Sequence, residues 1–170
     1  MRASDPNRRA RLLLVVSTRV GSSRLYAHDR RRPHNIPSRP LVLIVDHHDD
    51  TRELYVVSLA ALGFEAIAAA DRVQASQRAW ESHPDIVVTD LTLPAGGGWQ
   101  LIQDLKREAR TRDIPVVLLT GDAAPSLRER AEREGCAAFF VKPCLPDELA
   151  LELRQVLDRT IVHERVPASR

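Results

Sequence analysis

The chain has 170 residues, room for one ordinary domain plus tails, with a core that requires neither disulfide nor metal. Hydrophobic residues make up 44 % and aromatics only 4 %, so the core must rest on Leu, Ile, Val and Ala, and no apolar run reaches the length of a membrane span. The net charge of +2 conceals a segregation: residues 1–40 hold ten Arg and two Asp, a balance of +8, and the remainder carries −6.

The first forty residues stand apart from the rest. They contain Arg8, Arg9 and Arg11, then Arg30, Arg31 and Arg32, then Pro33, Pro37 and Pro40. Leu12 to Val16 is too short an apolar run for a signal-peptide core. The segment reads as a basic, disordered extension. Three roles compete for it: a start-site extension without function, which is favoured, an electrostatic tether to nucleic acid or anionic lipid, and a targeting sequence. Tyr26 is the one aromatic among these arginines, so nucleic acid is not an expected partner.

From Pro40 onward, short apolar runs alternate with helical stretches. Leu41 to Val45 is a continuous apolar run ending in Asp46, as expected of a strand buried on both faces. Thr51 to Leu62 predicts a helix with Leu54, Val57 and Leu62 on its inner face, stopped by Gly63. Phe64 to Ala69 predicts a strand, Val73 to Ser82 a helix, and Asp85 to Asp90 a third strand. Gly96, Gly97 and Gly98 predict a loop before a helix over 99–110. Ile114 to Leu119 is a fourth strand succeeded by Thr120 and Gly121, and Pro125 to Glu134 a helix with Pro in its first turn, ended by Gly135. Ala137 to Val141 is a fifth strand, and Pro146 to about Val162 a final amphipathic helix carrying Leu149, Leu153 and Leu157. Cys136 and Cys144 lack a metal-ligand pattern and read as two reduced thiols, which fits a cytoplasmic location.

Five successive βα units imply an α/β fold: a doubly wound, five-stranded parallel sheet over 41–160, with a short tail over 161–170. In such sheets the functional site lies off the carboxyl ends of the strands. The residues at those ends are therefore informative. The first strand ends in Asp46, His47, His48, Asp49 and Asp50, the third in Asp90, the fourth in Thr120-Gly121-Asp122, and the fifth in Lys142-Pro143. An Asp that caps a strand end, a solvated Lys or a Thr before Gly is ordinary when met alone. Four such groups at four strand ends are harder to assign to chance.

The fragments Ile44-Val-Asp46, Pro84 to Pro94, Gly98-Trp99, Ile114 to Gly121 and Phe140-Val-Lys142-Pro143 together resemble two-component response-regulator receiver domains, of the stand-alone, chemotaxis-regulator-like kind. The resemblance covers about three-quarters of the chain by motif span. It implies a flavodoxin-like (βα)5 fold and a phosphoryl-accepting switch. Asp90 matches the phosphoacceptor, and Asp46 the first of an acidic pair that, with Asp90, holds Mg2+. Thr120 and Lys142 match the groups that stabilise the phosphoryl group, and Phe139 the aromatic that moves between exposed and buried states. The implied donor is a sensor histidine kinase or phosphotransfer protein. Output by protein contact, including a homodimer, would use the face of fourth helix, fifth strand and fifth helix, where Arg128, Arg130 and Arg133 are set against Asp147 and Glu148. The chain ends soon after the last helix, so no output domain is expected.

The sequence departs from the family pattern at His47, which stands where the second acidic residue is usual. Histidine is a nitrogen donor better suited to Mn2+, Zn2+ or Ni2+ than to Mg2+. Three readings compete: tolerance, with Asp49, Asp50 or water completing the metal shell, a shifted metal preference that admits Mn2+, or a receiver that signals without phosphorylation. The first is favoured. A dedicated transition-metal site built from His47, His48, Asp49 and Asp50 is disfavoured, because adjacent loop residues seldom all converge on one ion. Protonated His47 would also place a cation near the metal's position. Gly97 replaces an acidic residue often found before Gly98-Trp99, a change of little weight. The rival functions are a phosphorylation-independent pseudo-receiver, a nucleic-acid binder acting through its tail, and a haloacid-dehalogenase-type phosphatase. The last needs a second Asp where Thr92 stands, so no multiple-turnover enzyme is expected.

Overall fold

A computed structural model describes residues 39–165, with the exposure of Gly96 and the side chains of residues 161–165 outside that description. The basic segment before Arg39 and the end of the expected tail lie outside the described residues. The elements in chain order are β1 (Leu41–Val45), α1 (Asp49–Ala61), β2 (Glu65–Ala69), α2 (Arg72–Ser82), β3 (Ile86–Thr89), a 3-10 turn (Pro94–Gly96), α3 (Gly97–Arg107), β4 (Val116–Thr120), α4 (Pro125–Arg133), β5 (Ala138–Val141) and α5 (Pro146–Arg165).

The strands form one parallel sheet in the order β2-β1-β3-β4-β5. Continuous apolar runs become strands here because both faces of the sheet are covered. Successive residues of each strand feed opposite cores. Leu43, Val45, Val87, Val116 and Leu118 pack under α2, α3 and α4. Val42, Ile44, Ile86, Val88, Val117 and Leu119 pack under α1 and α5, with Leu149 and Leu153 of α5. The chain leaves β1 in one direction to reach β2 and crosses to the other side for β3. The carboxyl ends of β1 and β3 therefore flank the switch point of the sheet, the crevice where such folds bind their ligands.

Four sequence expectations are corrected. The inner face of α1 is not Leu54, Val57 and Leu62, since Leu54 is 54 % and Val57 62 % exposed. Tyr55 and Leu59 are buried instead. The Tyr55 ring is buried in the core shared with α5, and its hydroxyl donates to the Cys144 carbonyl at 2.8 Å, which fits this rotation of the helix. The helix also begins two residues early, so Asp49 and Asp50 occupy its first turn, where negative charge complements the helix dipole.

Gly97 and Gly98 are not loop residues but the buried first residues of α3. A Cβ at Gly98 would lie 2.5 Å from the Leu91 Cα and 2.5 Å from its carbonyl oxygen. Only a glycine lets α3 start so close to the segment that leaves β3. The α4 arginines are not set against Asp147 and Glu148. Arg128 lies over the Phe139 ring at 4.8 Å, Arg130 over Trp99 at 4.2 Å and 3.8 Å from Glu134, and Arg133 is 4.0 Å from Glu129. Aromatic faces within about 6 Å attract guanidinium groups, and these faces lie on the near side of α4.

Candidate functional site

Asp46 comes directly after β1 and Asp90 directly after β3, and the Asp90 N–H donates to the Val45 carbonyl at 2.9 Å. Parallel pairing of β1 with β3 thus brings the two carboxylates side by side. Both are buried, at 3 % and 5 % exposure. Lys142, at the end of β5, reaches between them: its ammonium donates to Asp46 Oδ2 at 2.6 Å and to Asp90 Oδ2 at 3.1 Å. Two carboxylates and one ammonium leave the pocket one negative charge in excess, before any histidine is counted.

Each carboxylate is also held by backbone. Asp46 Oδ1 accepts the His48 N–H at 2.9 Å, and Asp90 Oδ1 accepts the Thr92 N–H at 3.2 Å. From α1, Arg52 donates to the Asp46 carbonyl at 2.7 Å and pairs with Asp49. Tyr55, one turn on, ties α1 to the segment just after Lys142-Pro143. Its burial pushes the phenol up to about 12, with the negative field of Cys144 and Asp46 adding to that rise.

The four strand-end groups expected from the sequence do lie at strand ends, but they are not all in contact. Asp46, Asp90 and Lys142 touch. Thr120 is buried at the end of β4, and its hydroxyl accepts the Asp122 N–H at 3.3 Å. The backbone pairing of β4 with β5 continues past the strands, as the Lys142 N–H donates to the Thr120 carbonyl at 2.8 Å. Gly121 has open space within 4 Å of a notional Cβ, so room remains beside Thr120. Phe139 is nearly buried in β5, with Arg128 over its ring.

Metal-ligand chemistry gathers on the β1 side. Nδ1 of His47 is 3.9 Å from Asp46 Oδ1 and 3.9 Å from Asp90 Oδ2, and Nδ1 of His48 is also 3.9 Å from Asp46 Oδ1. Asp46, His47 and His48 can each offer a ligand atom within 4.8 Å of the others. Nδ1 of His47 is buried and has no hydrogen-bond partner in the structure. Asp49 and Asp50, the residues expected to complete a metal shell, are exposed on α1, and Asp49 pairs with Arg52. His48, disfavoured as a ligand from the sequence, belongs to this group. Sequence reasoning missed Arg52 and Tyr55 altogether. An Arg and a Tyr one turn apart at the start of the helix after β1 were the available signal. A groove of about 510 Å3 between α2 and α3, lined by Trp80, Asp104 and Thr111, contains none of these groups.

A doubly wound parallel sheet with buried carboxylates and a lysine at its switch point defines a small α/β domain of flavodoxin-like architecture. Comparison with known proteins makes the family specific. Residues 42–154 match the family model described as the response regulator receiver domain, and the chain belongs to that family. It is 37 % identical over 118 residues to the phosphate regulon transcriptional regulatory protein PhoB of Klebsiella pneumoniae, covering 69 % of this chain and 52 % of that protein. It is 30 % identical over 128 residues to the DNA-binding dual master transcriptional regulator RpaA of Synechocystis, covering 75 % and 52 %. The chain thus spans about half the length of these relatives. A putative response regulator from Chloroflexus aurantiacus superposes with TM-score 0.68 at 27 % identity, covering 72 % of this chain and 100 % of that one. The chemotaxis response regulator CheY4 of Vibrio cholerae shares the fold, with TM-score 0.66 at 24 % identity, covering 70 % and 99 %. Receiver domains are signalling switches of two-component systems, and they hold Mg2+ at an acidic pocket. Among the described residues, no helix is long and apolar enough to cross a membrane.

Proposed function

We propose that the domain accepts a phosphoryl group on Asp90 from a phosphohistidine of a sensor kinase or phosphotransfer protein. The observation that carries this reading is the bridge of Lys142 between Asp46 and Asp90. A carboxylate oxygen of Asp90 attacks phosphorus, the P–N bond of the donor breaks, and the donor imidazole leaves with the electron pair. The chain's part is positioning and charge management, which is most of what phosphoryl transfer requires. The Thr92 N–H and the Lys142 ammonium already point at the Asp90 oxygens and are placed to donate to the phosphoryl oxygens formed there. Asp46, Asp90 and His47 would hold a divalent ion, and the orphaned Nδ1 of His47 fits a metal ligand. Such an ion supplies neutralisation of phosphoryl oxygen charge when bound.

Aspartyl phosphate adds roughly −1.5 to −2 charge at the end of β3. That charge draws Lys142 from Asp46 and recruits the Thr120 hydroxyl from the Asp122 N–H. The shift at the end of β4 opens space into which Phe139 moves, away from Arg128. The α4–β5–α5 face, on which Arg128 and Phe139 lie, is where we place the output contact, a homodimer included. His47 in place of an acidic residue favours a second reading, a pseudo-receiver that binds its partner unmodified. Treatment with acetyl phosphate and a divalent ion separates the two. The first reading predicts one hydroxylamine-labile phosphoryl group that maps to the peptide containing Asp90. A phosphoryl group on any other residue overturns it.

A further inference from the structure

We infer that the pocket beside Asp90 is a mixed nitrogen–oxygen site that selects a borderline divalent transition-metal ion over Mg2+, with His47 and His48 joining Asp46 as ligands. The inference shares its pocket with the phosphoryl-acceptor reading but does not depend on phosphoryl transfer.

Four observations carry it. Nδ1 of His47 is buried without a hydrogen-bond partner, although it faces two carboxylates. A buried polar atom left in this state costs free energy unless something else satisfies it. The two 3.9 Å separations of that atom from carboxylate oxygens are too long for hydrogen bonds. Two donors each about 2.1 Å from one ion lie about 3.4 Å apart in a tetrahedral shell, so a closing of about 0.5 Å brings these atoms onto a shared ion. His48 adds a second imidazole nitrogen 3.9 Å from Asp46 Oδ1, and the two rings meet edge to face with centroids 3.7 Å apart.

The fourth observation is charge. Lys142 already neutralises one of the two carboxylates through oxygens Asp46 Oδ2 and Asp90 Oδ2, while the histidines face Asp46 Oδ1. Mg2+ demands oxygen ligands and gives up its water reluctantly, so it depends on local negative charge. A neutral imidazole nitrogen needs no such charge, and its affinity for first-row divalent ions rises from Mn2+ through Co2+ to Ni2+. Exchanging an acidic residue for two imidazoles therefore lowers the site's affinity for Mg2+ and raises it for these ions.

The test uses the whole chain without any phosphodonor. Binding of Mg2+, Mn2+ and Co2+ is measured by calorimetry, and the visible absorption of bound Co2+ reports nitrogen coordination. The expected result is at least hundredfold tighter binding of Co2+ than of Mg2+. His48→Ala should weaken Co2+ at least tenfold while leaving Mg2+ unchanged. His47→Asp should shift the Co2+ spectrum and tighten Mg2+. Far-ultraviolet circular dichroism checks that both variants, at half-buried His47 and exposed His48, remain folded. Equal affinities for Mg2+ and Co2+ would overturn the inference. So would a Co2+ spectrum indifferent to both substitutions, which would place the ion on other histidines of the chain. Failure of Asp90 to accept phosphate would leave these binding results untouched.

Discussion

Gly98→Ala tests how the fold presents Asp90. The added Cβ would lie 2.5 Å from the Leu91 Cα, 2.5 Å from the Leu91 oxygen and 2.8 Å from the Asp90 oxygen. All three are backbone atoms, so no flexible side chain can give way, and α3 must separate from the β3 exit by about 1 Å to restore van der Waals contact. Overpacking of this kind costs about 1–3 kcal/mol, and a backbone obstacle belongs at the upper end. The gain from replacing Gly by Ala in a helix is about 0.5–1 kcal/mol and offsets part of it. The net expectation is a loss of about 2 kcal/mol, or roughly 5–10 °C in melting temperature for a domain of this size. Gly121→Ala is the internal control: its Cβ meets nothing within 4 Å, and its stability should stay within about 0.5 kcal/mol of wild type. Gly97→Ala falls between them, with the Arg72 Cβ at 3.2 Å. Thermal unfolding followed by circular dichroism ranks the three. If Gly98→Ala melted with Gly121→Ala, the close approach of α3 to Leu91 would not be a constraint, and the account of the Gly97-Gly98 pair would fail.

The same geometry carries other expectations. Lys142→Met leaves two buried carboxylates adjacent without their cation. It should cut the rate of phosphoryl gain from acetyl phosphate at least tenfold, a loss of about 1.4 kcal/mol of transition-state stabilisation, which time-resolved mass spectrometry would detect. Burial raises the Tyr55 phenol to about 12 and the Cys136 thiol to about 11. Both groups are held neutral by the fold. Their contribution to stability is complete below the unfolded values and is lost as pH rises, from about 9 to 11 for Cys136 and about 10 to 12 for Tyr55. Denaturant titrations should therefore show stability falling above about pH 9, with a shallower fall between about pH 9 and 11 in Cys136→Ala. Tyr55→Phe removes the bond to the Cys144 carbonyl and should cost about 1 kcal/mol in the same titration at about pH 7.

The strands were legible because a parallel sheet covered on both faces writes them as uninterrupted apolar runs, as in Leu41–Val45 and in β4 from Val116 to Leu119. Their ends were legible for the same reason: the runs stop where polar residues begin, at Asp46, at Thr89-Asp90, at Thr120 and at Lys142. The register of α1 was not legible. Leu54 and Val57 are more apolar than Arg52 and Tyr55, yet a long aromatic with a hydroxyl that finds the Cys144 carbonyl outweighs two aliphatic side chains that can stay in solvent. The glycine run was misread because three consecutive glycines favour a loop in isolation. Here close approach to Leu91, a tertiary contact, converts two of them into the first turn of a helix. His48 was hard to read as a ligand, since adjacent residues seldom converge on one ion. Its position as the residue before α1 turns its ring back toward Asp46. The direct contact of Lys142 with both carboxylates joins residues 96 and 52 positions apart, which only the sheet order brings together.

Intact mass spectrometry shows whether Asp90 accepts a phosphoryl group. The whole chain and Asp90→Asn are incubated with acetyl phosphate, each with Mg2+, with Mn2+ and with chelator. The wild-type chain should gain a single phosphoryl group, dependent on a divalent ion and faster with Mn2+ than with Mg2+, and Asp90→Asn should gain none. An equal gain by the Asp90→Asn chain, or no gain by the wild type with either ion, would contradict phosphoryl transfer to Asp90.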